Sequence, residues 1–549
     1  MTRPSVGAHS HAFAWASSQH PSGDAESLVL YHGGLVYRSG ASEDVGEALL
    51  VSGARVRWVG RAADLGTAAV DRRVDLAGRV VLPGLMDAHT HLLSHGLLGQ
   101  RVDLRGVRSE QDAANQVAAY AAAHPAKRWI VGHGWNESLW PGARSPSRKS
   151  LDLAVPDRPV LLSRADGHLV WVNSRALAEA GIGDDTPDPP GGVIDRDQEG
   201  HPTGILREKA ARLVHDRIPS ASLHERLQAL RAAQAEAHSL GLVGVHAMEG
   251  SEALEALQVL HENGELTLRV LLLPPWGDLE HFRALGLRAG FGSEWLRLGQ
   301  LKLFADGSLG SHTAWMLAPF EGEPANTGVA LHSRAELTEQ IRIAHAAGWP
   351  CAVHAIGDAA NRATLDAFET APPAGIPLPD RIEHVQIIHP QDIPRLGRLG
   401  VVASMQPAHV ATDWPLATRL WGERARYSYA WRSLLRAGAA LAFGSDAPVE
   451  PLNPWTGLQV AVTRRDLEGD PLEGWHPQEA LALSEALAAF TEGVARAAGD
   501  AQGGHLAPGT RADFVVLEQD PFAMAPEELG LVRPLATVVG GNVVSGRLG

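Results

Sequence analysis

The feature that most restricts this chain is a repeated texture. From about residue 80 to about residue 450, short apolar stretches alternate with Ala-, Leu-, Arg- and Glu-rich helical ones. Strands alternating with helices build a parallel sheet, because each parallel crossover needs a helix-length return. Eight strands can be counted: RVVLPGLMDAHTH (79–91), LVGVHAME (242–249), TLRVLLLP (267–274), LGQLKLFADG (298–307), PCAVHAIG (350–357), RIEHVQ (381–386), VVASMQP (401–407) and AALAFGSD (439–446). Eight strands close a (β/α)8, or TIM, barrel, so the predicted fold class is α/β with that barrel at its centre. WIVGH (129–133) and PVLLS (159–163) also read as strands. They fall in an insertion at about 100–240, within which TPDPPGGVIDRDQEGHPTG (186–204) reads as a loop or lid.

The flanks have a different texture. SLVLYHGGLVYRSG, EALLVSGARVRWVG and RRVDLAGRVVLPG read as an antiparallel meander with glycine turns, and ADFVVLEQDP and LATVVGGNVVSG repeat that texture near residue 540. The two flanks are expected to form one small β-sandwich, its halves at 28–80 and 501–549 around a barrel at 81–500; two separate caps are the alternative. Residues 1–27 lack an apolar core and read as a disordered leader.

A parallel barrel collects its reactive groups at the C-terminal ends of its strands. The first strand ends in DAHTH, where His89 and His91, two apart, point the same way. The fourth strand carries Lys302, the fifth His354, the sixth His384 and the eighth Asp446. Each alone is unremarked in a chain with 26 histidines. Together, four imidazoles, a carboxylate and an amine aimed at one mouth form a donor set for zinc or a similar divalent ion. His246, ending the second strand, is expected to support these ligands rather than join them. Asp306 and Ser308 read as turn residues. In the insertion, Trp135 reads as a pocket wall with Asn136 near it, and His168 as a substrate contact.

Lys302 raises its own question. Of 48 basic residues only four are lysines, so Arg is the default base of this chain, yet Lys302 sits in an apolar strand where a charge is costly to bury.

The motifs PGLMDAHTH, KLFADGSLGS, VHAIGDAA, RIEHVQ and FGSDAPVEP, with PVLLSRADGHLVWVNSRAL, GGVIDRDQEGHPTGILRE and GTRADFVVLEQDPF, resemble the amidohydrolase superfamily, in particular its amidohydrolase-3 branch with the N-substituted formamide deformylases. The resemblance spans roughly residues 28–545 and leaves the leader unmatched. It implies a (β/α)8 barrel with a β-sandwich from both chain ends, and a metal-dependent hydrolase of carbon–nitrogen bonds such as amides or N-substituted formamides. It implies that His89, His91 and Asp446 hold a buried ion and that His354 and His384 hold a second. It further implies that a carbamylated Lys302 bridges them. Two zinc ions are expected in preference to one. A plain Lys302 with a snorkelling ammonium or a carboxylate partner is the alternative for a one-ion site.

In that setting Asp446 is expected to be both ligand and proton shuttle for the attacking water. An esterase, lactonase or deaminase on the same centre, and a non-catalytic scaffold, are the competing readings. The net charge of −15 and pI near 5.9 argue against nucleic-acid and membrane-surface partners and leave a small-molecule substrate. No run of 18 apolar residues exists, and the single Cys351 permits no intrachain disulfide, which suits the cytoplasm. A homodimer is an open expectation, because the sequence sets no oligomeric state.

Overall fold

The computed structural model describes residues 27–40, 45–65 and 69–548. All but the last residue of the expected leader, 1–27, lies outside the described residues. The chain divides into two compact units, one of residues 1–92 with 233–549 and one of residues 93–232.

In the larger unit, the strands Leu85–Thr90, Leu242–Ala247, Arg269–Leu272 and Leu296–Leu298 form one parallel arc. The strands Leu301–Phe304, Cys351–Ala355, Arg381–His384, Val402–Met405 and Ala440–Phe443 form another. Isolated parallel bridges Pro275–Lys302 and Thr90–Ala447 link the arcs at both sides. All six residues of Leu85–Thr90 and of Leu242–Ala247 are buried, as are all four of Val402–Met405. Such continuous burial is what a parallel sheet covered on both faces demands, and it explains the unbroken apolar runs.

The expected first strand, 79–91, is two strands. Val80–Pro83 pairs with Leu28–Tyr37 and with Phe514–Leu517 in a separate eight-stranded sheet, and only Leu85–Thr90 joins the parallel arc. Gly84 makes the change of sheet, at a point where a Cβ would lie 2.3 Å from Val243 Cγ1. The eight-stranded sheet takes strands from both flanks of the chain: Leu28–Tyr37, Val45–Ser52 and Arg55–Gly60 on one side, Phe514–Leu517, Ala536–Val539 and Asn542–Gly546 on the other. Tyr31, Val36, Leu49, Val81, Phe514 and Val538 share its core, with Tyr31 edge-on to Phe514 at 5.1 Å. Burying each such side chain contributes roughly 1.5–3 kcal/mol.

The smaller unit is built on a six-stranded sheet that includes Ile130–Trp135 and Val160–Arg164 as parallel neighbours. Residues 186–204, expected as a loop or lid, are loop at 186–191 and 197–201 but also carry strand, Gly192–Arg196 and the start of Pro202–Glu208. Gly192–Arg196 pairs antiparallel with Pro202–Glu208, and the Asp197 side chain accepts from the backbone N–H groups of Glu199 and His201 to close the turn. The Pro and Gly density that suggested a loop belongs to the turns at either end of this hairpin.

Candidate metal centre

Tight local structure aims the polar strand ends. Asp87 is buried beside His89 and accepts from the backbone N–H of His89 at 2.9 Å and from the Ser445 hydroxyl at 2.6 Å, tying the first strand to the segment after the last. Gly444 lies between them; a Cβ there would sit 2.5 Å from Asp87 Oδ1. Burial pushes the Asp87 carboxyl up to about 6. The Asp446 backbone N–H donates to His89 O at 2.7 Å. Two ligand-type residues break the strand geometry: His384 has φ 74° and Asp446 has φ 60°. A left-handed backbone is costly for residues other than glycine, and it turns both side chains off the strand alternation.

His89, His91, Lys302, His354, His384 and Asp446 all line one cavity of about 330 Å³. Single ligand atoms of His89, His91 and Asp446 lie within 4.8 Å of one another. Asp446 Oδ1 is 3.5 Å from His89 Nε2 and 3.3 Å from His91 Nε2. The His354 and His384 rings are 4.5 Å apart, and His384 is 5.0 Å from His89.

The second nitrogen of each ring decides what the first can do. His89 Nδ1–H donates to Glu383 Oε2 at 2.7 Å, and His91 Nδ1–H to Met248 O at 3.0 Å. His384 Nδ1–H donates to Gln406 Oε1 at 2.8 Å, and His354 Nε2–H to Gly307 O at 3.0 Å. An oxygen acceptor on one nitrogen fixes the tautomer and leaves a lone pair on the other. The free lone pairs are therefore Nε2 of His89, His91 and His384 and Nδ1 of His354. Burial lowers His89 and His384 and takes His354 to about 3, keeping those rings neutral; at His91 burial is outweighed by the hydrogen bond and charge of Asp446, which leave it raised. Burial alone would raise Asp446, but the imidazoles, His89 first, hold it well below the usual carboxylate range. Neutral imidazoles and an ionised carboxylate are the protonation states that bind a divalent cation.

Lys302 Nζ is buried and has no hydrogen-bond partner, its nearest aromatic neighbour being the Phe304 ring at 5.0 Å. Burial lowers it to about 8, against the pull of Glu383 and Asp446 toward the charged form. It does not pair with Asp446 and does not reach solvent. An orphaned buried amine among free imidazole lone pairs fits a site completed by cations.

Two site residues were not read from the sequence. Glu383 is fully buried; it holds the His89 ring and is itself held by Arg381, whose Nε donates to Glu383 Oε1 at 2.5 Å. Arg381, also fully buried, further donates to Ala88 O, Ser404 Oγ and His246 Nδ1. His246 thus sits behind Arg381 and Glu383 and does not line the cavity. The second is His409, the first residue of the helix His409–Trp421, which lines the cavity with its Nε2 3.6 Å from Asp446 Oδ2.

The remaining expectations fall elsewhere. Trp135, expected as a pocket wall, is instead 1% exposed in the core of the smaller unit: it packs against Trp140 and Trp171 and donates Nε1–H to Leu162 O. A large indole flanked by other tryptophans fills core volume there. Asn136 caps a turn by accepting from the Ser138 N–H. His168 is an exposed residue of the smaller unit whose Nδ1 lies 3.2 Å from Glu208 Oε2. Asp306 anchors the loop after the fourth strand through the N–H groups of Trp315, Ile356 and Gly357, and burial raises it to about 7. Ser308 lines the cavity beside it.

The family model described as "Amidohydrolase family" matches residues 72–545. A putative amidohydrolase, YtcJ, of Bacillus subtilis is 34% identical over 527 residues, covering 94% of this chain and 99% of its own. An N-substituted formamide deformylase of Arthrobacter pascens is 30% identical over 525 residues, covering 91% and 95%. Among solved structures, an uncharacterised metal-dependent hydrolase of Pyrococcus horikoshii superposes with a TM-score of 0.78 at 29% identity, covering 91% of this chain and 99% of that one.

Proposed function

The chain belongs to the amidohydrolase family and is an enzyme of that class; from that premise we propose that it hydrolyses non-peptide carbon–nitrogen bonds, N-substituted formamides first among them. The two parallel arcs are read as one (β/α)8 barrel, Leu296–Leu298 and Leu301–Phe304 being two pieces of its fourth strand, supported by the bridges that link them, and the eight-stranded sheet as its companion β-sandwich. The observation that carries the function is the convergence of four free imidazole lone pairs, the ionised Asp446 and the partnerless Lys302 amine on one cavity. The substrate class is suggested by the deformylase relative.

His89, His91 and Asp446 would hold one divalent ion, zinc being expected, and His354 and His384 a second. A bound cation of this kind supplies an acidified water and a Lewis acid for the carbonyl. Lys302 would join the site as a carbamate: the neutral amine adds to carbon dioxide, a proton leaves, and an anion with two oxygens results. Arginine, permanently protonated, cannot do this. Asp446 then accepts the proton of the water whose oxygen attacks the carbonyl carbon. It returns that proton to the nitrogen as the carbon–nitrogen bond breaks, leaving an amine and a carboxylic acid whose remaining proton passes to solvent or to the amine. The partner is a small molecule, and the single buried Cys351 supports a cytoplasmic site of action.

The test is metal analysis of the purified protein with a hydrolysis screen of formamides, N-acyl amino acids, carbamates and lactones. Chelator-sensitive release of amine from a formamide or related amide is expected. Turnover of lactones alone would move the assignment to ester chemistry, and metal-free protein inert on every class would overturn it. Mass spectrometry under carbon dioxide should find Lys302 heavier by one carbon dioxide; an unmodified amine in fully active protein would remove the carbamate.

A further inference from the structure

Among the described residues lining the cavity, two buried side-chain polar atoms lack a partner: Lys302 Nζ and His409 Nε2. The ligand role proposed for Lys302 leaves His409 without one. Its position is specific. The Asp446 carboxylate divides the cavity: Oδ1 faces His89 and His91, and Oδ2 faces His409 Nε2 at 3.6 Å. That separation is too long for a hydrogen bond. The backbone that carries the ring is fixed, since His409 opens the helix His409–Trp421 and its main-chain carbonyl accepts from the Thr412 hydroxyl. The other side-chain donors nearby already have partners: one Gln386 side-chain N–H donates to Asp413 Oδ2 at 2.6 Å, and the Ser308 hydroxyl pairs with that of Ser311 at 2.8 Å.

A buried polar atom with no protein partner is costly unless something arrives to satisfy it. We propose that His409 is a catalytic residue whose Nε2–H donates to the carbonyl oxygen of the bound substrate and strengthens that bond as the oxygen becomes negative. The anionic Asp446 oxygen facing Nε2 favours the tautomer with hydrogen on that side. His409 is thereby assigned as the protein's own donor to the developing oxyanion, opposite the imidazole ligands across Asp446. The inference rests on the amide-hydrolysis reading above and identifies what holds the carbonyl within it.

The experiment uses the metal-loaded enzyme with His409→Phe and His409→Gln. In His409→Phe, metal content and melting temperature are expected to stay at wild-type levels while kcat on the best amide falls about 10²–10³-fold, the loss typical of removing one oxyanion donor. His409→Gln, which keeps an N–H donor, should recover part of that loss. Unchanged kcat in His409→Phe would overturn the proposal. So would loss of metal in both variants, which would make His409 a ligand or a structural residue. Calorimetric titration with formate separates this from failure of the amide reading. Even if no amide is turned over, wild type should bind formate at least about tenfold more tightly than His409→Phe, because each lost charge-assisted hydrogen bond costs about that factor. Equal formate affinity would remove the donor role.

Discussion

His89, His91 and Asp446 bring one ligand atom each within 4.8 Å of one another, and so do His345, Cys351 and Asp380. By residue type the second set, with a thiol, is the stronger candidate for zinc. Its hydrogen bonds say otherwise. His345 Nδ1–H donates to Pro372 O at 2.6 Å and Nε2–H to Asp380 Oδ1 at 2.9 Å, so neither nitrogen has a lone pair to give. Burial pushes the Cys351 thiol well above its usual range, away from the thiolate a metal needs. The His345 set is a closed lock between the helix Arg334–Ala346 and the strand Cys351–Ala355. In the His89 set every ring keeps one nitrogen free. What separates a ligand cluster from a structural one is thus the second nitrogen of each ring, not the count of histidines.

The sharpest way to break the comparison is to remove one ring from each set. His89→Ala is expected to purify with little metal and negligible turnover, because an incomplete ligand set loses affinity. His345→Ala should keep full metal content and lose stability only. Elemental analysis of both proteins decides it, and equal metal loss in the two would erase the distinction.

A smaller effect is expected from Asp446→Asn, which keeps the shape and a ligand oxygen but removes the base. Turnover should fall about 10²–10⁴-fold, the range for lost acid–base catalysis, with the circular dichroism spectrum unchanged. Smaller again is Glu383→Gln, which retains an acceptor for His89 but not the negative charge opposite Arg381. Metal affinity should drop about 10–100-fold, as for other partners of metal-bound histidines, measured by competition with a chelator.

The mildest test is pH. Burial lowers the affinity of His345 for its proton, but the Asp380 carboxylate outweighs this and leaves the group raised above its usual value. A raised folded value means the stabilisation is fully present below the unfolded pKa of about 6.5 and is lost as pH rises through the folded one. The melting-temperature gap between wild type and His345→Gln should therefore be largest in mild acid and shrink as the pH is raised. A gap that widens with pH would mean His345 is neutral and the lock misread.

The eight strand segments, and the polar residues at their ends, stood out because apolar runs and ionisable strand termini are local patterns. What was hidden depended on distant partners. Glu383 directly precedes His384, and regular strand alternation would put it on the opposite face from its neighbour; the left-handed backbone at His384 departs from that pattern, and the value of Glu383 comes from reaching His89, 294 residues away in sequence. His409 lies in QPAHVATDW, where nothing in spacing distinguishes it among 26 histidines. Trp135 was misjudged because an aromatic beside a polar loop looks the same whether it faces ligand or core. The hairpin at Gly192–Arg196 was masked by the turn residues that make it.

The pairing of Phe514–Leu517 with Val80–Pro83 has a consequence in time. Val80–Pro83 leads through Gly84 into the strand that carries His89 and ends just before His91. A ribosome that has already made all six residues of the cavity set, His89 through Asp446, has not yet made the strand that borders their first anchor. Domains begin to fold while the chain is still being made. Here the edge of Val80–Pro83 that Phe514–Leu517 covers stays open until residues 514–517 emerge, so a ribosome stalled after Asp446 would present all six cavity residues on a chain still lacking the strand that completes that sheet.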